Sequence, residues 1–174
     1  MVKFNLFYYT FAKLHFTMLF LYRQNFQFCK GALDLFIVNV EGAIRKDDKW
    51  IIIERSKKEE HAGGILSLVG GKVEIEGNSS NILEKTLKRE IFEEIGITIK
   101  ENLKYIHSTS FVTDKGENVV NVIFLCEYES GDFFVKQPEE VEKIFLLATE
   151  EILNSPQAPV FLKEYIKYAE LVLF

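Results

Sequence analysis

Histidine and cysteine are scarce in this chain of 174 residues, and the few present lie far apart. The two cysteines, Cys29 and Cys126, fit no zinc or redox spacing. Isolated thiols of this kind are by default buried and inert in a reducing cytosol, so a cytoplasmic location is the expectation. His15, His61 and His107 are too scattered for a His-based metal centre. His61 precedes Ala62-Gly63-Gly64, a flexible loop in which a solvated side chain is a simpler reading than a substrate contact. Long apolar runs are lacking too. No uninterrupted stretch reaches the roughly eighteen residues a spanning helix needs, so no transmembrane segment is expected. No small-residue cleavage site precedes Arg23, which argues against a signal peptide. Positive charge is in deficit, with 21 Lys and Arg against 26 Asp and Glu. No basic stripe is interleaved with aromatics, so dedicated nucleic-acid binding is disfavoured. Repeats and low-complexity tracts are absent.

What is present reads as one globular domain with an N-terminal addition. A hydrophobic content of 48% and a charged content of 27% are globular values, and the length suffices for a sizeable core. Residues 32–40 and 50–54 are apolar runs separated by the polar stretch 41–49, which predicts a strand, a loop and a strand. Residues 66–69 form a short strand leading into Gly70. Residues 103–112 and 119–127 read as strands joined by a turn at Asp114-Lys115-Gly116, and residues 145–147 as the last strand. A short helix follows over 149–153, and Pro159 opens a final one with a broad apolar stripe. Residues 1–30 fall outside this pattern: they hold seven of the sixteen Phe, four basic residues and no acidic one. Three readings stay open for this aromatic-rich extension: an added strand or hairpin, an arm forming a homodimer, or a weak membrane-surface segment, the first two being favoured. Met18 permits translation to begin there, which mass spectrometry of the native protein tests.

The most informative run is Arg89-Glu90-Ile91-Phe92-Glu93-Glu94-Ile95-Gly96-Ile97. In a helix, Glu90, Glu93 and Glu94 stand at i, i+3 and i+4 and share one face. Like charges so placed destabilise an isolated helix unless something positive lies between them. A solvated acidic face and a site for a hard divalent cation, Mg²⁺ or Mn²⁺, are the two readings of the pattern alone. Two features weigh towards the cation. Leu83, Leu87, Ile91 and Ile95 step by four and form a core stripe, so the carboxylates border a buried face. Upstream, Gly70-Gly71-Lys72 is a doublet that could bring bare backbone close to the helix. It is not a phosphate-cradling P-loop, since Leu66 stands where the first glycine belongs and Val73 replaces the needed Ser or Thr.

Together, Gly70-Gly71-Lys72-Val73-Glu74 and the run from Arg89 to Ile97 resemble the signature of the Nudix hydrolases, G-x5-E-x7-R-E-U-x-E-E-x-G-U with U a bulky aliphatic residue. The second half is matched at every defined position. The first half departs: six on from Gly71 is Gly77, eight back from Arg89 is Asn81, and the connecting segment is four residues longer than the pattern. Asn78-Ser79-Ser80-Asn81 reads as an inserted turn, and Asn81 with Glu84 as a capping pair for a helix starting near Ile82. Glu74 or Glu76 is the candidate to replace the absent first glutamate.

The resemblance implies an α/β/α sandwich with a mixed sheet over residues 31–174. It also implies hydrolysis of a nucleoside diphosphate linked to another moiety, by water attack on phosphorus with Mg²⁺ or Mn²⁺. The substrate would be a small nucleotide. By the same resemblance Glu90, Glu93 and Glu94 hold the cations, Gly70 offers a backbone carbonyl, and Arg89 fixes a motif glutamate. A basic residue at the position of Arg55 approaches substrate phosphate in the family, a surface salt bridge being the simpler reading. Glu140 and Glu142, just before the last strand, are candidates for a further acidic contact to the substrate or its cation, with a solvated acidic loop as the alternative. A net charge of −5 would repel a polyphosphate, and bound cations resolve that mismatch. The competing reading is a Nudix-fold module that binds a nucleotide without cleaving it, favoured by the absent glutamate and the inserted turn.

Overall fold

The computed structural model describes residues 35–59 and 62–173. The N-terminal extension, with Met18 and Cys29, and His61 lie outside the described residues. Among the described residues eight strands and three helices follow in the order β1 (Phe36–Lys46), β2 (Lys49–Arg55), β3 (Leu66–Ser67), β4 (Val69–Lys72), α1 (Ile82–Ile95), β5 (Thr98–Ile99), β6 (Lys104–Val112), β7 (Asn118–Ser130), β8 (Val141–Leu147), α2 (Thr149–Asn154) and α3 (Val160–Leu173). Strand β1 is central. It runs parallel to β7 from Phe36↔Asn118 to Arg45↔Glu127, and its other edge is shared by β4 and β2, both antiparallel. Beyond β2 lies β8, antiparallel, and beyond β7 lie β6 and β5, so the sheet is mixed.

Period-two alternation sorts the strand residues onto two faces. Val40, Ile44, Ile51, Ile53 and Cys126 pack with Leu87, Ile91 and Ile95 of α1. Ala43, Trp50, Ile52, Ile123 and Leu125 pack with Ile152 of α2 and Leu162, Ile166 and Ala169 of α3. The result is the α/β/α sandwich expected, and the compact unit begins at Phe36. Gly42 of β1 lies directly under α1: a Cβ there would lie 3.2 Å from Cys126 Sγ and 3.4 Å from Leu87 and from Ile91. Burial raises the Cys126 thiol above its ordinary pKa, which keeps it unreactive.

Several expectations need correction. The polar stretch 41–49 is not a loop: β1 continues to Lys46 and turns back through Asp47-Asp48, with Asp47 at φ 57°. Its polar residues have uses in a strand, since Arg45 lies over Trp50 and Glu41 faces a cavity described below. The strand foreseen over 66–69 is two strands separated by Leu68, with the second extending through both glycines, and β8 begins four residues earlier than read. Helix α1 starts at Ile82 as the sequence suggested, but Asn81 adopts a left-handed conformation and its side chain makes no cap hydrogen bond. Asparagine tolerates that backbone, and Lys85 N–H donates to the Asn81 carbonyl at 3.0 Å instead. At the other end Gly96, at φ 76°, donates its N–H to Phe92 O and ends the helix.

Candidate active site

Helix α1 presents its acidic face at the edge of the core. Leu87, Ile91 and Ile95 are fully buried, which fixes the helix rotation and turns Glu90 and Glu94 inward beside them. Glu94 is only 2% exposed. The loop before β8 delivers a third carboxylate. Ser56 N–H donates to the Glu140 carbonyl at 2.8 Å, and Gln137 Nε2 donates to Glu140 Oε1 at 2.6 Å, which ties this loop to the end of β2. Glu90, Glu94 and Glu140 thereby each offer an oxygen within 4.8 Å of the others.

Neither motif glycine has room for a side chain with its neighbours as they stand. A Cβ on Gly71 would lie 2.5 Å from the Glu90 carboxyl carbon, so the bare backbone of β4 is one wall against which Glu90 rests. On Gly70 it would lie 2.0 Å from the Val40 carbonyl oxygen, which only glycine avoids.

Arg89 sits at the rim, pairing with Glu90 at 2.8 Å, Glu93 at 2.9 Å and Glu74 at 3.7 Å. Glu93 is thus half-exposed and held by Arg89, outside the group formed by Glu90, Glu94 and Glu140. Of the two candidates for the absent first glutamate, Glu74 reaches Arg89, whereas Glu76 accepts a hydrogen bond from Ser79 Oγ at 3.2 Å. Arg55 closes β2 with its Nη2 3.1 Å from Glu59 Oε2, while its Nε is buried without a hydrogen-bond partner among the described residues. Glu142 is exposed on β8 and takes no part in the group.

The electrostatics follow from this crowding. Burial, then the charges of Glu140 and Glu90, push Glu94 up to about 9, against the pull of Arg55. Glu90 is raised chiefly by burial, Arg89 opposing and Glu140 and Glu93 reinforcing. Glu140 is raised by burial and by Glu59. Three converging carboxylates that resist ionising together form a donor set that suits a hard divalent cation, whose charge would reverse each of these shifts.

Arg55 and Glu59, whose charges act on Glu94 and Glu140, also line a cavity of about 830 Å³ on the α3 side of the sheet, which none of the three carboxylates itself lines. Its floor holds residues that sequence reasoning missed: Asn39, Glu41, Asn121 and Tyr165. Burial raises Glu41 to about 7, opposed by the neighbouring Asn121 amide and by Arg55. The available signal was Asn121, a polar residue in the middle of the apolar run 119–127.

A mixed sheet between helices, with a carboxylate-bearing helix packed on a glycine doublet, defines the class. A sequence profile of the NUDIX domain matches residues 36–168, and the chain belongs to the Nudix family. It is 31% identical over 100 residues to the NAD-capped RNA hydrolase NudC of Shigella flexneri, an alignment covering 58% of this chain and 35% of that protein. The chain thus spans about a third of the length of the curated relatives it matches. Its fold is shared by a MutT NUDIX hydrolase from Burkholderia pseudomallei (TM-score 0.65, 24% identity, 77% of this chain and 98% of that one). It is shared also by the NUDIX domain of Shewanella oneidensis NrtR, solved with ADP ribose (TM-score 0.66, 16% identity, 83% and 93%).

Proposed function

We propose that this protein hydrolyses a nucleoside diphosphate linked to another moiety, by water attack on a pyrophosphate phosphorus, with Mg²⁺ or Mn²⁺ as cofactor. The observation carrying this reading is the convergence of Glu90, Glu94 and Glu140, joined through Arg55 and Glu59 to a cavity large enough for a nucleotide. These three carboxylates would hold the cation. Glu93, at the rim, keeps a place in the ligand set through its motif position and would exchange its Arg89 pair for a cation. Gly70 would contribute its backbone carbonyl. When bound, a divalent cation screens the pyrophosphate oxygens and acidifies a water.

The remaining roles belong to the chain. Arg89 fixes Glu90 and Glu93 by two short ion pairs, so it acts as a positioning residue. Arg55 lines the cavity and would meet substrate phosphate. Glu41 stands beside Arg55 and Glu94 and links the cavity to the carboxylate group. Among the described residues no helix is long and apolar enough to cross a membrane. The buried thiol of Cys126 fits a cytoplasmic protein.

A panel of NAD-capped RNA, ADP-ribose, dinucleoside polyphosphates, nucleotide sugars and oxidised nucleoside triphosphates, assayed with and without Mg²⁺, tests the reading. Metal-dependent turnover of at least one member is the expected result. Nucleotide binding without turnover of any would favour the binding-module reading, to which the exposed, lengthened segment before α1 lends support.

A further inference from the structure

Strand β2 ends in an ion pair that does little for the fold. Arg55 Nη2 donates to Glu59 Oε2 at 3.1 Å, and each side chain is 27% exposed. The turn that returns Glu59 to Arg55 is held without that pair. Glu59 N–H donates to the Ser56 carbonyl at 3.1 Å and Lys58 N–H to Ser56 Oγ at 3.3 Å, with Ser56 itself buried. Arg55 N–H donates to Ile65 O at 2.9 Å and Gly64 N–H to Arg55 O at 3.0 Å, which closes the loop at its root. An ion pair as exposed as this one adds little to stability.

The pair also carries an electrostatic cost. The charge of Glu59 reinforces burial in raising Glu140, so this acidic residue adds repulsion where Glu41, Glu90, Glu94 and Glu140 are already crowded. Nor does Arg55 need Glu59 as a counter-charge, because Glu41, Glu94 and Glu140 all feel the guanidinium. What sets Glu59 apart is its place. Arg55 and Glu59 both line the cavity, whereas Glu94 and Glu140 do not. A guanidinium N–H accepts a carboxylate or a phosphate oxygen as partner with the same geometry, so the two compete for one donor.

We infer that Glu59 is a placeholder for the substrate phosphate: it occupies the Arg55 guanidinium in the free protein, yields it when a phosphate binds, and so sets the affinity of the site for anionic ligands. The inference rests on the proposed contact between Arg55 and phosphate. Displacing the carboxylate weakens ground-state binding, and its return to Arg55 helps a phosphate-bearing product to leave. Glu59 touches no reacting atom in this role.

Calorimetric titration of the full chain with α,β-methylene-ADP, whose diphosphate water does not cleave, tests this without turnover. Adenosine, which carries no phosphate, is the control. In Mg²⁺ buffer Glu59→Gln should bind the diphosphate roughly three- to tenfold more tightly than the native chain, and adenosine no differently. Glu59→Ala should behave alike, thermal melting confirming that each variant is folded. Arg55→Ala should weaken diphosphate binding, and adding Glu59→Gln to it should bring little gain, because the donor in dispute is gone. Diphosphate affinity unchanged or reduced in both folded Glu59 variants would overturn the inference. An equal gain for adenosine, or in the Arg55→Ala background, would overturn it as a general effect of charge. Native affinity in Arg55→Ala, or no diphosphate binding by any form, would overturn it together with the phosphate role of Arg55. A gain that depends on Arg55, with no hydrolysis of any substrate in the panel, would leave the inference standing and defeat the proposed reaction.

Discussion

Placing one methyl group on Gly71 should separate catalysis from folding. An alanine Cβ would lie 2.5 Å from the Glu90 carboxyl carbon and 2.6 Å and 2.8 Å from its two oxygens. Carbon atoms rest at about 3.5–4.0 Å, so the carboxylate must retreat by about 1 Å. Glu90 is the end of a flexible side chain and can do so at small cost, of order 1 kcal/mol. A displacement of that size at a reacting centre lowers the rate by about a hundredfold. Gly71→Ala should therefore keep its melting temperature within a few degrees of native while losing about two orders of magnitude in kcat. Gly70→Ala is the contrasting case, because its Cβ meets the Val40 carbonyl at 2.0 Å and backbone cannot swing aside. It should lose about 3 kcal/mol or more of stability. Thermal melts together with kcat and Mg²⁺ titrations on a substrate from the panel check both variants. Native kcat and metal dependence in Gly71→Ala would refute the placement of Glu90 at the reacting centre.

Other expectations follow from the same geometry. Glu93→Gln and Glu94→Gln should each reduce Mg²⁺-dependent hydrolysis by roughly two orders of magnitude or more, read from initial rates. In metal-free buffer the protein should lose stability as pH rises from about 4.5 to about 9. The folded state holds the Glu94 proton that the unfolded state releases, so Glu94 contributes a negative slope of order 1.4 kcal/mol per pH unit at most, Glu41, Glu90 and Glu140 add in the same direction, and Glu94→Gln should make the slope shallower. Adding Mg²⁺ should accordingly raise the melting temperature more at pH 8 than at pH 6. Arg89→Lys keeps the charge but loses the fork that spans Glu90 and Glu93, and should lower kcat about ten- to a hundredfold with little change in KM. Ile91→Ala, at a fully buried position under β1, should cost about 2–5 kcal/mol in chemical denaturation.

The parts of the fold legible in the sequence are those written in local periodicity. The four-residue step of Leu87, Ile91 and Ile95 located α1 and its buried side, and with them the acidic face. The choice of carboxylates that converge was not legible. Glu140 joins Glu90 and Glu94 because the loop before β8 is bonded to Ser56, a contact between residues far apart in sequence. Glu93 and Glu94 are adjacent and chemically identical, yet Arg89 claims one at the rim while the core buries the other. Glu41 was misread for a related reason. A charged residue among polar neighbours suggests a loop, and only the pairing of β1 with both β4 and β7 reveals it as a strand residue facing a cavity. Asn81 had the composition of a cap, but the lengthened segment before it delivers the chain in a left-handed conformation.

The central claim is that Glu90, Glu94 and Glu140 together hold a divalent cation. Titration of the full chain with Mn²⁺, followed by electron paramagnetic resonance, measures it directly and needs no substrate. The account predicts saturable binding, weakened about ten- to a hundredfold by Glu140→Gln and more by Glu94→Gln. Affinity unchanged in both variants would contradict it.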